Sequence, residues 1–206
     1  MVTAFIIDLI INKMKKFKLP VIIIIMTLGF IKNSPAQTQS NGLYLTYSDF
    51  KNHKLSYASD SNEPRKNKII LHDFFEGSKV TLISNGKKQT FAKSEIFGYR
   101  ENNRDYRFQD NKVFEIIDTD GFYLYKHDKL TAGGKGPKPV STEYFSTKAN
   151  AEILQLTQQN IDKAFASNYK FRNLVQAEFK TDDQLTEYDN ALNKYQIKEL
   201  YIESSK

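Results

Sequence analysis

From Leu43 to Tyr125 the apolar positions fall in short runs with two-residue alternation, and beyond Thr157 they recur every three or four residues. The first pattern is that of half-buried strands, the second that of helices packed along one face. Leu43, Tyr44 and Leu45 form a short strand, and Thr46 with Asp49 has the spacing of a helix amino-cap, so one helical turn follows through Phe50. Asn52 to Asn67 is polar and reads as a long loop. Strands are predicted over Lys68 to Leu71, Ser78 to Ser84, Ile96 to Tyr99, Asp105 to Phe108, Val113 to Ile117 and Phe122 to Tyr125. Asn85-Gly86 and Asp120-Gly121 are hairpin signals, because a tight turn of the right twist needs residues that accept positive φ. Alternation puts Phe122 and Leu124 on one face of their strand, Tyr123 and Tyr125 on the other.

Thr131 to Val140 holds three glycines and two prolines and reads as a linker. After it, Ile161, Ala164 and Phe165 share a helix face, as do Phe171, Leu174 and Val175. Leu185, Tyr188, Leu192 and Tyr195 continue the helical spacing. Thr157 and Asn168 are the expected amino-caps, and Thr181 with Gln184 a capping box. Helices are therefore predicted over 157 to 166, 169 to 179 and 182 to 196, with a closing strand over Glu199 to Ile202. The predicted fold class is α+β: an antiparallel strand-rich body (a sandwich or small barrel) followed by three amphipathic C-terminal helices that pack on it. The body runs over 37 to 145 and the helical tail over 146 to 206.

Composition adds the cellular context. Met14-Lys15-Lys16-Phe17-Lys18 is basic, Leu19 to Ile31 is an apolar run of 13 residues, and Ser34-Pro35-Ala36 supplies small residues before Gln37. Those parts, in that order, make a secretory signal peptide over 1 to 36, cleaved after Ala36. The run falls short of the ~20 residues that a spanning helix needs. Met1 to Lys13 precedes the basic cluster that should lead, which puts the true start at Met14. The full chain of 206 residues carries a net charge of +6. Residues 1 to 36 hold Lys13, Lys15, Lys16, Lys18, Lys32 and Asp8, so removing them leaves 25 basic and 23 acidic residues, a net +2. The basic balance thus belongs mostly to the leader. It gives no reason to expect nucleic acid as a partner, or a membrane after signal cleavage. The chain has no cysteine, which excludes disulfides, zinc–cysteine sites and thiol chemistry.

No catalytic set stands out. His53, His72 and His127 lack metal-ligand spacing, and Asp118-Thr119-Asp120-Gly121 opens like a calcium loop but lacks the later ligands. Gly133-Gly134-Lys135-Gly136 is followed by Pro137, which does not open the helix a phosphate loop requires. Glu115 with Asp118 or Asp120 could pair as glycosidase carboxylates, although turn composition accounts for them better. No metal or cofactor is expected. The cluster Tyr99-Arg100-Glu101-Asn102-Asn103-Arg104-Asp105-Tyr106-Arg107-Phe108 is different, with three arginines and three aromatic residues among its ten positions. Such side chains stack on sugars, peptides or bases. A hairpin turning at Asn102-Asn103 also explains the cluster, with Tyr106 and Phe108 inward and Arg100 and Arg107 in solvent. Tyr99, Arg104, Tyr106 and Arg107 are the candidate binding residues.

Two stretches carry a resemblance. Gly42-Leu43-Tyr44-Leu45-Thr46 with Asp49-Phe50, and Leu156-Thr157, Asn160 and Ala164-Phe165 in the tail, resemble exported proteins of Gram-negative bacteria that have no assigned activity. Those proteins share a Gly-x-Tyr-Leu-Thr-x-x-Asp-Phe mature start and a Leu-Thr-x-x-Asn-x-x-x-Ala-Phe tail. The resemblance implies export and transfers no catalytic residue. The functional expectation is a secreted or periplasmic, non-enzymatic binding or envelope-structural protein. Its partner would be an envelope protein, a peptide or a glycan. The alternative is a cell-wall or glycan hydrolase using Asp and Glu.

Overall fold

The computed structural model describes residues 41–58, 67–72, 77–133 and 136–206. The leader expected over 1 to 36, with its start at Met14, lies outside these residues. The main sheet has seven antiparallel strands in the order β1-β5-β6-β7-β8-β9-β10. They are β1 (Gly42–Tyr44), β5 (Gly98–Glu101), β6 (Arg104–Gln109), β7 (Lys112–Asp118), β8 (Tyr123–Gly133), β9 (Gly136–Ser146) and β10 (Leu154–Gln155). A second sheet holds β2 (Asn67–Ile70), β3 (Lys79–Ser84) and β4 (Lys87–Ala92). From β5 to β10 each strand pairs with its successor, so the sheet is a meander with β1 added at its edge.

Turn chemistry fixes the register. Asn85-Gly86, Asn102-Asn103 and Asp110-Asn111 each link paired strands with both central residues at positive φ, between 49° and 74°. This is the type I′ geometry that suits the twist of a hairpin. The loop after β7 is longer than a two-residue turn, and pairing slips between Ile116 and Asp118. Gly121 takes φ +72° there, and a Cβ on it would stand 2.6 Å from the Tyr201 ring.

Layers pack on both faces of the main sheet. On one face Leu43, Tyr99 and Phe108 pack with Ile69, Val80 and Leu82 of the second sheet. Further along that face, Leu124 and Phe145 pack with Phe122 and with Ile161, Phe165, Phe171, Val175, Leu185 and Ile197 of the carboxy-terminal region. On the opposite face, Tyr44 and Phe50 pack with Ala149, while Phe114 and Tyr125 pack with Ile153. Phe50 comes from α1 (Tyr47–Lys51), which starts at the expected Thr46–Asp49 capping box. Phe122 and Leu124 do separate from Tyr123 and Tyr125, as alternation requires.

Three readings are corrected. Thr131 to Val140 is no linker, because β8 and β9 pair continuously from Tyr123↔Ser146 to Gly133↔Gly136. The tail contains α2 (Gln158–Ala164) and α3 (Tyr169–Glu178), capped by Thr157 and Asn168, but no helix over 182 to 196. Instead a 3-10 turn (Asp182–Thr186) leads into a short hairpin, β11 (Tyr188–Asp189) with β12 (Lys194–Tyr195). Leu185 is buried, but Leu192 is 61% exposed, so the helical stripe has no surface to cover. The Asp189 carboxylate accepts from the Ala191 and Leu192 amides and closes a turn in place of a helix. The strand expected over Glu199 to Ile202 is helical, within α4 (Gln196–Ser204). Ile197, Leu200 and Tyr201 have i, i+3, i+4 spacing, and all three pack into the helical core. Among the described residues no helix is long and apolar enough to cross a membrane.

Candidate functional site

Strand pairing sets Leu43, Tyr99, Tyr106, Glu115, Lys126 and Glu143 opposite one another on six successive strands. Directly paired residues project to the same face, so these side chains form one row across the sheet. The second sheet buries Leu43 and Tyr99 at one end of the row. The carboxy-terminal layer covers Leu124 and Phe145 one step along the strands from Lys126 and Glu143. Between these coverings lies a half-exposed strip of Tyr106, Glu115, Lys126 and Glu143.

The strip combines a stacked aromatic platform with alternating charges. Tyr99 and Tyr106 stack with centroids 4.5 Å apart and planes within 6°. Arg104, 63% exposed, reaches Glu115 at 3.3 Å. Lys126 stands between Glu115 and Glu143 in the row and lies 3.7 Å from the Asp128 carboxylate. Burial raises the Tyr106 phenol pKa, the Glu115 charge adds to that, and Arg104 opposes it through its charge and a hydrogen bond. Burial also raises the Tyr195 phenol, with Asp118, Glu143 and Glu115 acting in the same direction. Tyr195 packs with the carboxy-terminal core, where it meets Tyr188 edge-on at 5.0 Å. Both phenols stay protonated, and so remain hydrogen-bond donors, to higher pH than free tyrosine. Glu101 has its carboxyl pushed up by burial.

The structure divides the four residues that the sequence singles out. Tyr99, Arg104 and Tyr106 belong to this face, with Tyr99 buried beneath the second sheet. Arg107 is on the opposite face, paired with Gly98 and Phe114, and only 8% exposed. The expectation that Arg100 and Arg107 point to solvent is wrong for both. Alternation assigns their face correctly, but that face is covered too. Arg107 lies over the Phe97 ring at 5.5 Å and donates to the Tyr125 hydroxyl at 3.4 Å. Arg100 holds Asp105 at 3.2 Å, and Tyr44 donates to the same carboxylate at 2.8 Å. Burial pushes the Tyr44 phenol up to about 12. Sequence reading missed Lys126 and Glu143 because only the register of separate strands brings them to Glu115.

The loop that opens like a calcium site has a cation of its own. Lys198 is fully buried, with its ammonium 3.1 Å from the Asp118 carboxylate and 2.9 Å from the Asp120 carbonyl. It also donates to the Phe122 carbonyl and lies 4.1 Å over the Phe122 ring. Burial lowers the Lys198 pKa, and Asp118 opposes that shift. The acidic loop thus serves to hold α4 against the sheet. Among the described residues no group of three or more His, Asp or Glu is placed to hold a metal ion.

A depression of about 280 Å³ opens beside Phe97 and Arg107. Ligand pockets generally enclose ~300–1,000 Å³ and bury most of their ligand. The strip suits a ligand laid across a surface better than one enclosed in a cavity. No family model, curated protein or solved structure matches this chain.

Proposed function

We propose that the chain is an exported, non-enzymatic binding or envelope-structural protein that contacts a glycan, peptide or envelope protein through the strip. Tyr106 supplies an aromatic face, while Arg104, Glu115, Lys126 and Glu143 supply donors and acceptors of both signs. The observation that carries this reading is the gap itself: two layers cover the same sheet face and leave a polar, aromatic-edged row between them. The leader-like segment and the resemblance of the mature start and tail to exported proteins support export. A thermal-shift screen with peptidoglycan fragments, oligosaccharides and short peptides tests the reading, since a ligand that binds the folded state raises the melting temperature. Arg104→Ala and Tyr106→Ala should each abolish most of that rise. A rise that survives both removes the strip from the function.

One observation favours a hydrolase as the second reading. Glu101, with its carboxyl raised by burial, and Glu115, paired with Arg104, both influence Tyr106 on the same face. Two carboxyls in unlike surroundings are what acid–base cleavage of a glycosidic bond requires. Of the two partners expected for Glu115, Asp118 is engaged by Lys198 and Asp120 by Lys194. Turnover of a labelled glycan that disappears in both Glu101→Gln and Glu115→Gln would establish this reading. Turnover that persists in both would exclude it.

A further inference from the structure

β8 and β9 are each eleven residues long and outrun their neighbours. On the β7 side the pairing of β8 reaches only to Lys126. β7 begins at Lys112, and next to this point the Val113 carbonyl lies 2.9 Å from the His127 ring. On the other side, β10 pairs with β9 only at Phe145 and Tyr144. The remainder, Asp128–Gly133 with Gly136–Ser141, is a two-stranded arm with two outer edges.

Those edges are not equivalent. In an antiparallel pair, alternate residues turn their N–H and C=O groups outward. The Leu156 amide donates to the Glu143 carbonyl at 3.0 Å, so the odd-numbered residues of β9 face outward. Pro137 and Pro139 occupy two of those positions and offer no donor, which closes that edge to another strand. On β8 the outward residues are the even-numbered ones, since Lys126 and Leu124 pair with β7. Asp128, Leu130 and Ala132 continue that series, and all three have backbone N–H groups. Among the described residues no strand pairs with them. One edge of the arm is blocked, and the other has no strand paired to it among the described residues.

We propose that the outer edge of β8 from Asp128 to Ala132 accepts an extended acidic peptide as an added antiparallel or parallel strand. Backbone pairing on an exposed edge gives affinity without a pocket. Charge selects the occupant. Lys129 and Lys138 belong to the arm, and its acid, Asp128, is engaged by Ser141 and by Lys126 of the neighbouring strip. A second copy would set these lysines against their own kind, which disfavours pairing, whereas an acidic strand complements them.

The test uses Leu130→Pro. Leu130 pairs with Pro139 at a position that makes no hydrogen bond across the arm, so the change removes one outward N–H and spares the β8–β9 ladder. Ala132→Pro, opposite Pro137, repeats the logic. The probe is a short fluorescent peptide alternating Glu with Val or Thr, beside a version with Lys for Glu, followed by anisotropy on the purified exported protein. The acidic peptide should bind about tenfold more weakly to either proline variant, a loss of about 1.4 kcal/mol, and the lysine peptide about tenfold more weakly to the parent. Equal binding of the acidic peptide to a proline variant that melts like the parent overturns the proposal. So does equal binding of the two peptides, or a dimer that Leu130→Pro abolishes. If both variants melt early, amide exchange decides in the parent: slowing at Asp128, Leu130 and Ala132 with the acidic peptide supports the added strand, and unchanged exchange refutes it. The strip side chains are untouched by either variant, so the two sites fail independently.

Discussion

Lys198 is the residue on which the packing of the last helix turns. Its ammonium is fully buried and supplies donors to Asp118 and to the carbonyls of Asp120 and Phe122. Lys198→Met keeps the apolar stem but leaves the carboxylate and carbonyls without their donor. Breaking a buried pair on one side costs about 3–5 kcal/mol, which a urea titration would read directly. Tyr44 sets an alkaline limit. Its folded phenol, pushed up to about 12 by burial, holds its proton where an unfolded tyrosine, near ~10, loses it. Between those values the folded state binds more protons, so stability falls as pH rises through the window. Tyr44→Phe should flatten that fall, with ultraviolet phenolate absorbance following the ionisation and urea midpoints following the stability. Neither residue stood out in the sequence, because both depend on partners dozens of positions away.

At the scale of elements, local chemistry was legible wherever it was self-contained. Thr46, Thr157 and Asn168 cap helices as expected, and Asn85-Gly86 and Asn102-Asn103 turn hairpins. Asp110-Asn111 has the same turn chemistry and could have been read the same way. The reading failed where local signals competed. Between Leu185 and Tyr195 an apolar spacing fit for a helix lost to the Asp189 turn, and Leu192 was left outside. Between Thr131 and Val140, glycine and proline suggest a linker, yet the prolines fall on the outward positions of a strand and leave the ladder intact. Two substitutions test the packing of these elements. Leu185→Asp places an unpaired charge in the helical core and should cost several kcal/mol, on the order of a severe core lesion; an unchanged melt would mean the 182–186 turn is not docked. Gly121→Ala combines a positive φ with a Cβ 2.6 Å from the Tyr201 ring. It should cost about 1–3 kcal/mol in urea midpoint terms.

For the molecule as a whole, the α+β class was legible and the site only in fragments. Arg104 and Tyr106 lie in the strip, but Arg107 faces the other way, and Lys126 and Glu143 join only through the register of β7, β8 and β9. Sequence alternation gives the side of a strand. It does not give what lies above that side, so covered and uncovered rows look alike until the layers are placed. Export is testable at the same scale: mass spectrometry of protein recovered from outside the cytoplasm should find a mature start at Gln37, and an intact amino-terminal segment would refute cleavage. The most direct test of the binding surface is an amide chemical-shift titration of the folded protein with peptidoglycan fragments, oligosaccharides and short peptides. The expected result is that at least one class shifts the Tyr106, Glu115, Lys126 and Glu143 amides together. Silence from all three classes, or shifts confined to residues away from that row, would contradict the account.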